Sequence, residues 1–296
     1  MTHKVLITGG KGFIGSHLCK RLEKDHIPFI ILEGDIRDFS NTFAQISNSD
    51  ITAIFHLAGM SNIGDCEAKP DKAFSINALG TFNVVESIKR SKKNIRLIFS
   101  STAQVYNLKI ADKKSIIDES FPLGPQSVYA QTKLSAEQIV NNYFENQESL
   151  GTGVILRLFN HTDGSQKGPF FFPQLLKKIK GLKKESTDVL TGNLNIYRDF
   201  SLVEDLINLF IKILSTDLKE KTSTYNVCSG NSFLLKEVAQ HIANELNIKV
   251  NFVEVPELMR KDEPNSIIAS NQKAKLIFQW APTNLSSNEF VKKILN

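Results

Sequence analysis

Thr8-Gly9-Gly10-Lys11-Gly12-Phe13-Ile14-Gly15 is the stretch that decides the fold. Just before it, residues 4–8 form a short apolar run with strand character. After it, residues 13–24 repeat apolar side chains at Ile14, Leu18 and Leu22, the spacing of an amphipathic helix. The predicted order is strand, glycine turn, helix. Glycine suits such a turn because the chain must reverse tightly, bring its backbone close to a pyrophosphate, and let the helix pack near the strand. Gly9, Gly12, Phe13, Ile14 and Gly15 are therefore candidates for holding a dinucleotide.

Further along, residues 28–32, 53–57, 96–100 and 153–158 read as strands, and helical periodicity runs through 41–46, 73–90 and 128–146. Strands that alternate with helices predict an α/β fold with a doubly wound parallel sheet, the Rossmann arrangement. After Asn160 the texture changes: Asp163-Gly164-Ser165-Gln166-Lys167-Gly168-Pro169, followed by Phe170, Phe171 and Phe172, reads as a boundary loop. Beyond it, residues 203–214 predict a helix and 224–228 a strand. The expected division is a dinucleotide-binding domain over 1–160, with a return of 200–230 to it, and a smaller C-terminal α/β lobe over 161–296 that binds substrate.

Composition excludes some classes of function. Of the 296 residues 41% are hydrophobic and 23% charged, which is globular usage rather than that of a disordered or fibrous chain. The net charge of +5 suits an anionic ligand, but the lysines are dispersed, so no nucleic-acid partner is expected. The densest basic run, Lys177 to Lys184, interleaves with Leu175, Leu176, Ile179 and Leu182 as one solvated helix face does. Cys19, Cys66 and Cys228 match neither a zinc spacing nor a CxxC pair and read as reduced thiols. The chain starts Met1-Thr2-His3-Lys4 and runs straight into a strand, and no apolar run nears the roughly 18 residues of a membrane span. A cytoplasmic location without membrane contact is the expectation.

Two further positions carry chemistry. Glu33 stands at the end of the second strand, where a carboxylate accepts hydrogen bonds from the adenosine ribose and repels a 2′-phosphate, favouring NAD(H) over NADP(H). The alternative is a solvated carboxylate at a strand end. Arg37 lies near enough to pair with a phosphate, and Asp35 with Ile36 is placed to flank an adenine. Tyr129 and Lys133, in Tyr-Ala-Gln-Thr-Lys on a long predicted helix, are four residues apart and share a face. There the ammonium can lower the phenol's pKa and bind a ribose. The pair gains weight from Phe99-Ser100-Ser101-Thr102, a strand ending in hydroxyls at the sheet edge where ligands bind in such folds.

Together with Gly34-Asp35-Ile36-Arg37-Asp38, His56-Leu57-Ala58-Gly59 and Asn77-Ala78-Leu79-Gly80-Thr81, these motifs resemble the extended short-chain dehydrogenases/reductases over nearly the whole chain. In the second half, Arg157-Leu158-Phe159-Asn160-His161, Gly192-Asn193-Leu194, Arg198-Asp199-Phe200, Val203 with Asp205, Tyr225 to Gly230 and Glu257-Leu258-Met259-Arg260 are similar to the GDP-4-keto-6-deoxy-D-mannose reductases of that family. The resemblance implies NAD(H) or NADP(H) as cofactor, with Leu57, Ala58 and Gly59 against it. It also implies a nucleoside-diphosphate sugar, GDP-linked, as substrate. Thr102 would bond the sugar's C4 oxygen and Tyr129 would donate the proton. Asn160, Arg198, Arg260 and Glu263 would hold the substrate, the arginines through its phosphates. Surface ion pairing for the arginines and a turn for Asn160 remain the plainer readings.

A homodimer joined by the helices over 73–90 and 128–146 is also implied, with Phe74, Phe82, Ile139 and Tyr143 either lining it or serving the core. The sequence departs from the family pattern at Asn107, where glycine is usual, and at Asp163-Gly164-Ser165, where Gly-Pro-Gly is usual. Dehydratases of the family carry a Glu just ahead of Val-Tyr; this chain has Ala103 and Gln104, which neither donate nor accept a proton at neutral pH. A 4-keto reduction is the leading expectation. A 4-epimerase that retains its NAD, or a dinucleotide sensor without turnover, are the alternatives.

Overall fold

Side chains that alternate along each central strand are apolar on both sides, so the strands can only be stable with helices covering both faces. Val5, Ile7, Phe55, Ile98 and Leu156 point to one face, and Leu6, Ile54, Leu97, Phe99 and Ile155 to the other. In the computed structural model, which describes residues 4–111, 115–146, 149–182, 187–259, 264 and 266–295, the first elements are β1 (Val5–Thr8), α1 (Phe13–Lys24), β2 (Phe29–Ile31), α2 (Phe39–Ser47), β3 (Ala53–His56), α3 (Ile63–Ala68), α4 (Pro70–Phe74), α5 (Gly80–Ser91) and β4 (Arg96–Thr102). There follow β5 (Ile116–Ile117), α6 (Val128–Phe144), β6 (Thr152–Leu158), β7 (Asn160–Thr162), α7 (Phe171–Lys180), β8 (Asp188–Thr191), β9 (Tyr197–Leu202) and α8 (Val203–Ser215). The chain closes with β10 (Thr222–Val227), β11 (Ser232–Leu234), α9 (Leu235–Glu245), β12 (Asn251–Glu254), β13 (Ile268–Ala269), α10 (Gln272–Phe278) and α11 (Ser287–Leu295).

The six-stranded sheet is parallel throughout, in the order β10-β6-β4-β3-β1-β2. The doubly wound parallel sheet is thus borne out. Helices α1, α8 and α10 cover one face, and α2, α5 and α6 the other. The strand order reverses between β1 and β3, which opens a crevice at their carboxyl ends. Local chemistry starts the helices there: Asp38 caps α2 by accepting from the Asn41 amide, and Ser127 caps α6 by accepting from the Ala130 amide.

The helix expected over 73–90 is interrupted. α4 ends at Phe74, and a single π-helical turn, Ser75–Leu79, precedes α5. That turn directs Asn77 inward, where its side chain accepts from the Met60 amide (2.7 Å) and donates to the Met60 carbonyl (3.0 Å) and the Thr132 hydroxyl (2.9 Å). Apolar periodicity carries no trace of such a polar demand. The boundary loop is found over 163–170, with Phe171 and Phe172 already in α7; ahead of it Asn160–Thr162 forms a short strand, because its backbone pairs in parallel with Phe200–Leu202 of β9.

A second apolar core lies beyond that strand. Phe172, Phe200, Phe233 and Phe290 pack together there between α7, α9 and α11. Residues 203–227, by contrast, fold back as α8 and β10 onto the large sheet, with Leu206, Leu209, Phe210 and Ile213 buried in its core. Each such buried side chain stabilises the fold by roughly 1.5–3 kcal/mol. All three cysteines are buried and free. Among the described residues, no helix is long and apolar enough to cross a membrane.

Candidate active site

Four strand ends meet at the carboxyl edge of the sheet, and each delivers a piece of one cavity of about 1000 Å³. β1 leads into the glycine turn, β3 into Leu57-Ala58-Gly59, β4 ends on Ser100-Ser101-Thr102, and β6 runs into Leu158-Phe159-Asn160. Gly9, Gly12, Phe13, Ile14, Gly15, Leu57, Gly59, Thr102, Tyr129, Lys133, Asn160 and Arg198 all line this cavity.

The glycine turn is fixed by steric need. Gly9 has φ +73°, and a Cβ on it would stand 2.6 Å from the Ala58 amide nitrogen; one on Gly15 would meet the Gly9 carbonyl oxygen at 2.2 Å. A Cβ on Gly12 would meet only that same oxygen, at 3.2 Å, and would otherwise occupy the cavity. Gly12 is also the N-cap of α1 and brings no capping side chain, so the first-turn amides are left for a ligand. A cradle of backbone donors kept open by a missing Cβ fits a pyrophosphate.

α6 sets Tyr129 and Lys133 opposite the end of β4. Tyr129 is half-buried, and its phenol is pushed up to about 12: burial raises it, a hydrogen bond with Thr102 lowers it, and the nearby Cys66 raises it again. The lowered phenol expected from Lys133 is not what this geometry gives, because desolvation outweighs the other influences. Lys133 is only 4% exposed; burial brings its ammonium down to about 7, against the opposing pull of Glu137. Its Nζ lies 4.2 Å from the centre of the Phe99 ring. The Thr102 hydroxyl accepts from the Gln104 amide at 3.3 Å, so Ala103 and Gln104 line the cavity beside Thr102.

At the substrate end, Asn160 donates from Nδ2 to the Asp199 carbonyl (2.9 Å). Arg198, 9% exposed, lies on β9 opposite Phe233 and donates to its neighbour's carbonyl, that of Tyr197, at 2.7 Å. Asp199 holds the 229–230 turn by accepting from the Ser229 and Gly230 amides, each at 2.8 Å; burial raises its pKa to about 6 against these bonds. Arg260 and Glu263 lie outside the described residues.

Glu33, Asp35 and Ile36 lie outside the cavity lining. The Glu33 backbone is clamped by Gln45 and Asn41. Asp35 pairs with Arg37 at 2.5 Å, and that hydrogen bonding holds its carboxyl down at about 2. Ile36 is buried, packed where a Cβ on Gly80 would fall. Sequence reading did not single out His161, Gln166, Lys167, Phe170 or Lys178, which also line the cavity. The aromatic run after Gly168-Pro169, read only as part of a boundary loop, supplies much of this wall.

The sequence profile of the family described as GDP-mannose 4,6 dehydratase matches residues 23–294. The chain belongs to this family. It is an extended short-chain dehydrogenase/reductase. GDP-6-deoxy-D-mannose reductase of Pseudomonas aeruginosa is 27% identical over 290 residues, covering 95% of this chain and 93% of the relative. UDP-glucose 4-epimerase of Lactobacillus helveticus is 26% identical over 321 residues, covering 97% and 94%. The solved structure of RMD from Pseudomonas aeruginosa complexed with NADPH superposes with a TM-score of 0.86 at 25% identity, over 100% of this chain and 97% of that one. This family member thus shares its architecture with reductases and epimerases alike.

Proposed function

We propose that this chain reduces the C4 ketone of a nucleoside-diphosphate 4-keto-6-deoxyhexose, with GDP-4-keto-6-deoxy-D-mannose as the favoured substrate and GDP-D-rhamnose as product. The observation that carries the reading is the grouping of Thr102, Tyr129 and Lys133 beside the glycine cradle, with Ala103 and Gln104 where a dehydratase needs a carboxyl acid/base. Gly9, Gly12 and Gly15, with Leu57, Ala58 and Gly59, would hold NAD(H) or NADP(H), whose reduced form would supply the hydride to C4 and leave oxidised. The Thr102 hydroxyl orients the ketone oxygen, and Tyr129 gives that oxygen its phenolic proton. A phenol pushed up to about 12 remains protonated throughout the neutral range, which is the form a reduction requires.

Asn160, Arg198, Arg260 and Glu263 hold the nucleotide end of the substrate. Glu33 and the Asp35–Arg37 pair tip coenzyme choice slightly to NAD(H), because Arg37 is already engaged by a carboxylate. The enzyme works in the cytoplasm as a homodimer through the helical stretch 73–90 and α6; Phe74 and Phe82, 38% and 46% exposed, belong to that contact.

The kinship with UDP-glucose 4-epimerases supports a second reading, in which the same residues serve an enzyme that retains NAD. Incubation with GDP-4-keto-6-deoxymannose and its UDP, dTDP and CDP counterparts, following NADH and NADPH absorbance, separates the two. The reductase arrives largely free of cofactor and consumes reduced cofactor in step with keto sugar. Protein that carries NAD through purification and interconverts UDP-glucose and UDP-galactose without added cofactor overturns the reduction.

A further inference from the structure

Beneath Lys133 lies an ionic cluster that the reaction does not touch. Glu137 stands one helical turn on from Lys133, on the same face of α6, and is 1% exposed. Arg157 grips its carboxylate with two nitrogens, Nη2 to Oε2 at 2.7 Å and Nε to Oε1 at 3.1 Å, and the Ser101 hydroxyl donates to Oε1 at 2.5 Å. Ser101 and Arg157 are register partners on β4 and β6, and Thr102 is the next residue on β4. The helix that carries Tyr129 and Lys133 is thus clamped to the strand that carries Thr102 by one carboxylate.

Such a cluster is costly to bury, and an apolar replacement of similar shape is often as stable, so stability alone is a poor reason for its presence. Its position suggests another. The groups facing Lys133 are Glu137 on α6, Phe99 on β4 and His56 on β3; Arg157 on β6 reaches the group through Glu137, and Tyr129, one turn back on α6, is bordered by Thr102 on β4 and Cys66 on α3. Burial and the Lys133 charge depress His56 to about 3, so it is neutral, and burial pushes the Cys66 thiol up. Glu137 is therefore the one anionic side chain among these neighbours.

We infer that Glu137 is a positioning residue of the active site: its carboxylate keeps Lys133 in the ammonium form and fixes α6 against β4, while Arg157 and Ser101 hold that carboxylate in place. The assignment of Lys133 to the reaction rests on the proposed function, but its protonation can be read without substrate. Arg157 moderates the effect of Glu137, so the two partners act on Lys133 with opposite sign. Removing the anion releases the proton of Lys133 at lower pH; removing Arg157 leaves the carboxylate facing Lys133 and delays that release.

The test is an NMR titration of the protein labelled with 13C at lysine Cε, with the Lys133 signal assigned by its loss in Lys133→Arg. Wild-type Lys133 titrates near neutrality, well apart from the surface lysines. Glu137→Gln lowers the midpoint by about one pH unit, and Arg157→Met raises it. Glu137→Gln/Arg157→Met removes both charges of the buried ion pair, so neither partner is left unpaired by loss of the other, and its midpoint falls between those of Glu137→Gln and wild type. Equal midpoints in the folded double variant and wild type, or single-variant shifts of the same sign, overturn the inference and leave the cluster as a structural clamp. Correct midpoint shifts in a protein that reduces none of the keto sugars overturn the proposed reaction instead.

Discussion

The seam between α6 and β4 and the exposed end of β2 both carry charged residues assigned to the cofactor, yet they are built in opposite ways. At the seam, Lys133, Glu137 and Arg157 are nearly inaccessible, and each is held by specific partners at fixed distance. At the end of β2, the Asp35–Arg37 ion pair stands in solvent, with side chains 49% and 40% exposed. A buried charge feels a low dielectric and depends strongly on its neighbours, whereas an exposed pair is screened by solvent and contributes little. Under the proposed function the seam fixes the chemistry, and the β2 end leaves coenzyme preference free to drift.

The largest effect should come from the seam. Tyr129→Phe removes only the proton donor, so turnover of the keto sugar falls at least about a hundredfold while cofactor affinity changes little. Steady-state kinetics with a fluorescence titration of NADPH checks both; near-normal turnover breaks the contrast, since the seam would then hold no chemistry. Lys133→Met lowers turnover and cofactor affinity together, because Lys133 lines the cavity one helical turn from Tyr129. A change in melting temperature alone would return Lys133 to a packing role.

Gly9→Ala tests the turn that joins the two regions. Its Cβ is forced into the backbone at Ala58, 2.6 Å away, at φ +73°, so destabilisation of at least about 1–2 kcal/mol accompanies loss of dinucleotide binding. Calorimetry with and without NADPH measures both.

The pH profile sharpens the comparison further. Burial lowers Lys133 to about 7, so its cationic form is present below that value and is lost as pH rises through it. With Tyr129 still protonated, kcat/KM for reduction should decline on the alkaline side, with no acidic limb from His56. A profile flat from pH 6 to 9 would detach Lys133 from the reaction. The smallest effect belongs to β2: Arg37→Ala should shift the NADPH to NADH preference by less than about tenfold, in keeping with an exposed pair. A larger loss of NADPH use would make Arg37 a phosphate ligand.

Much of this was legible in the chain itself. The glycine turn, the alternation of apolar strands with amphipathic helices, and the spacing of four between Tyr129 and Lys133 are local patterns, set by backbone sterics and by helical and strand periods, so reading them required no knowledge of the fold. The site edge followed from topology, since parallel strands bring their carboxyl ends together. The environment of each group was a different matter. Whether Tyr129 is lowered by a cation or raised by burial depends on how much water the folded chain excludes. The π turn at Ser75–Leu79 answers to a contact of Asn77 with Met60 and Thr132, far apart in sequence. Asn160 is a strand residue only because β9, some forty residues on, offers it a partner. Glu137 reads in sequence as one more solvated helix carboxylate, and it becomes the anchor of the site only when β4 and β6 set Ser101 and Arg157 side by side beneath it. Local periodicity wrote the elements and pointed to the groups proposed to react, but desolvation and charge pairing are properties of packed neighbours, and those only the tertiary structure decided.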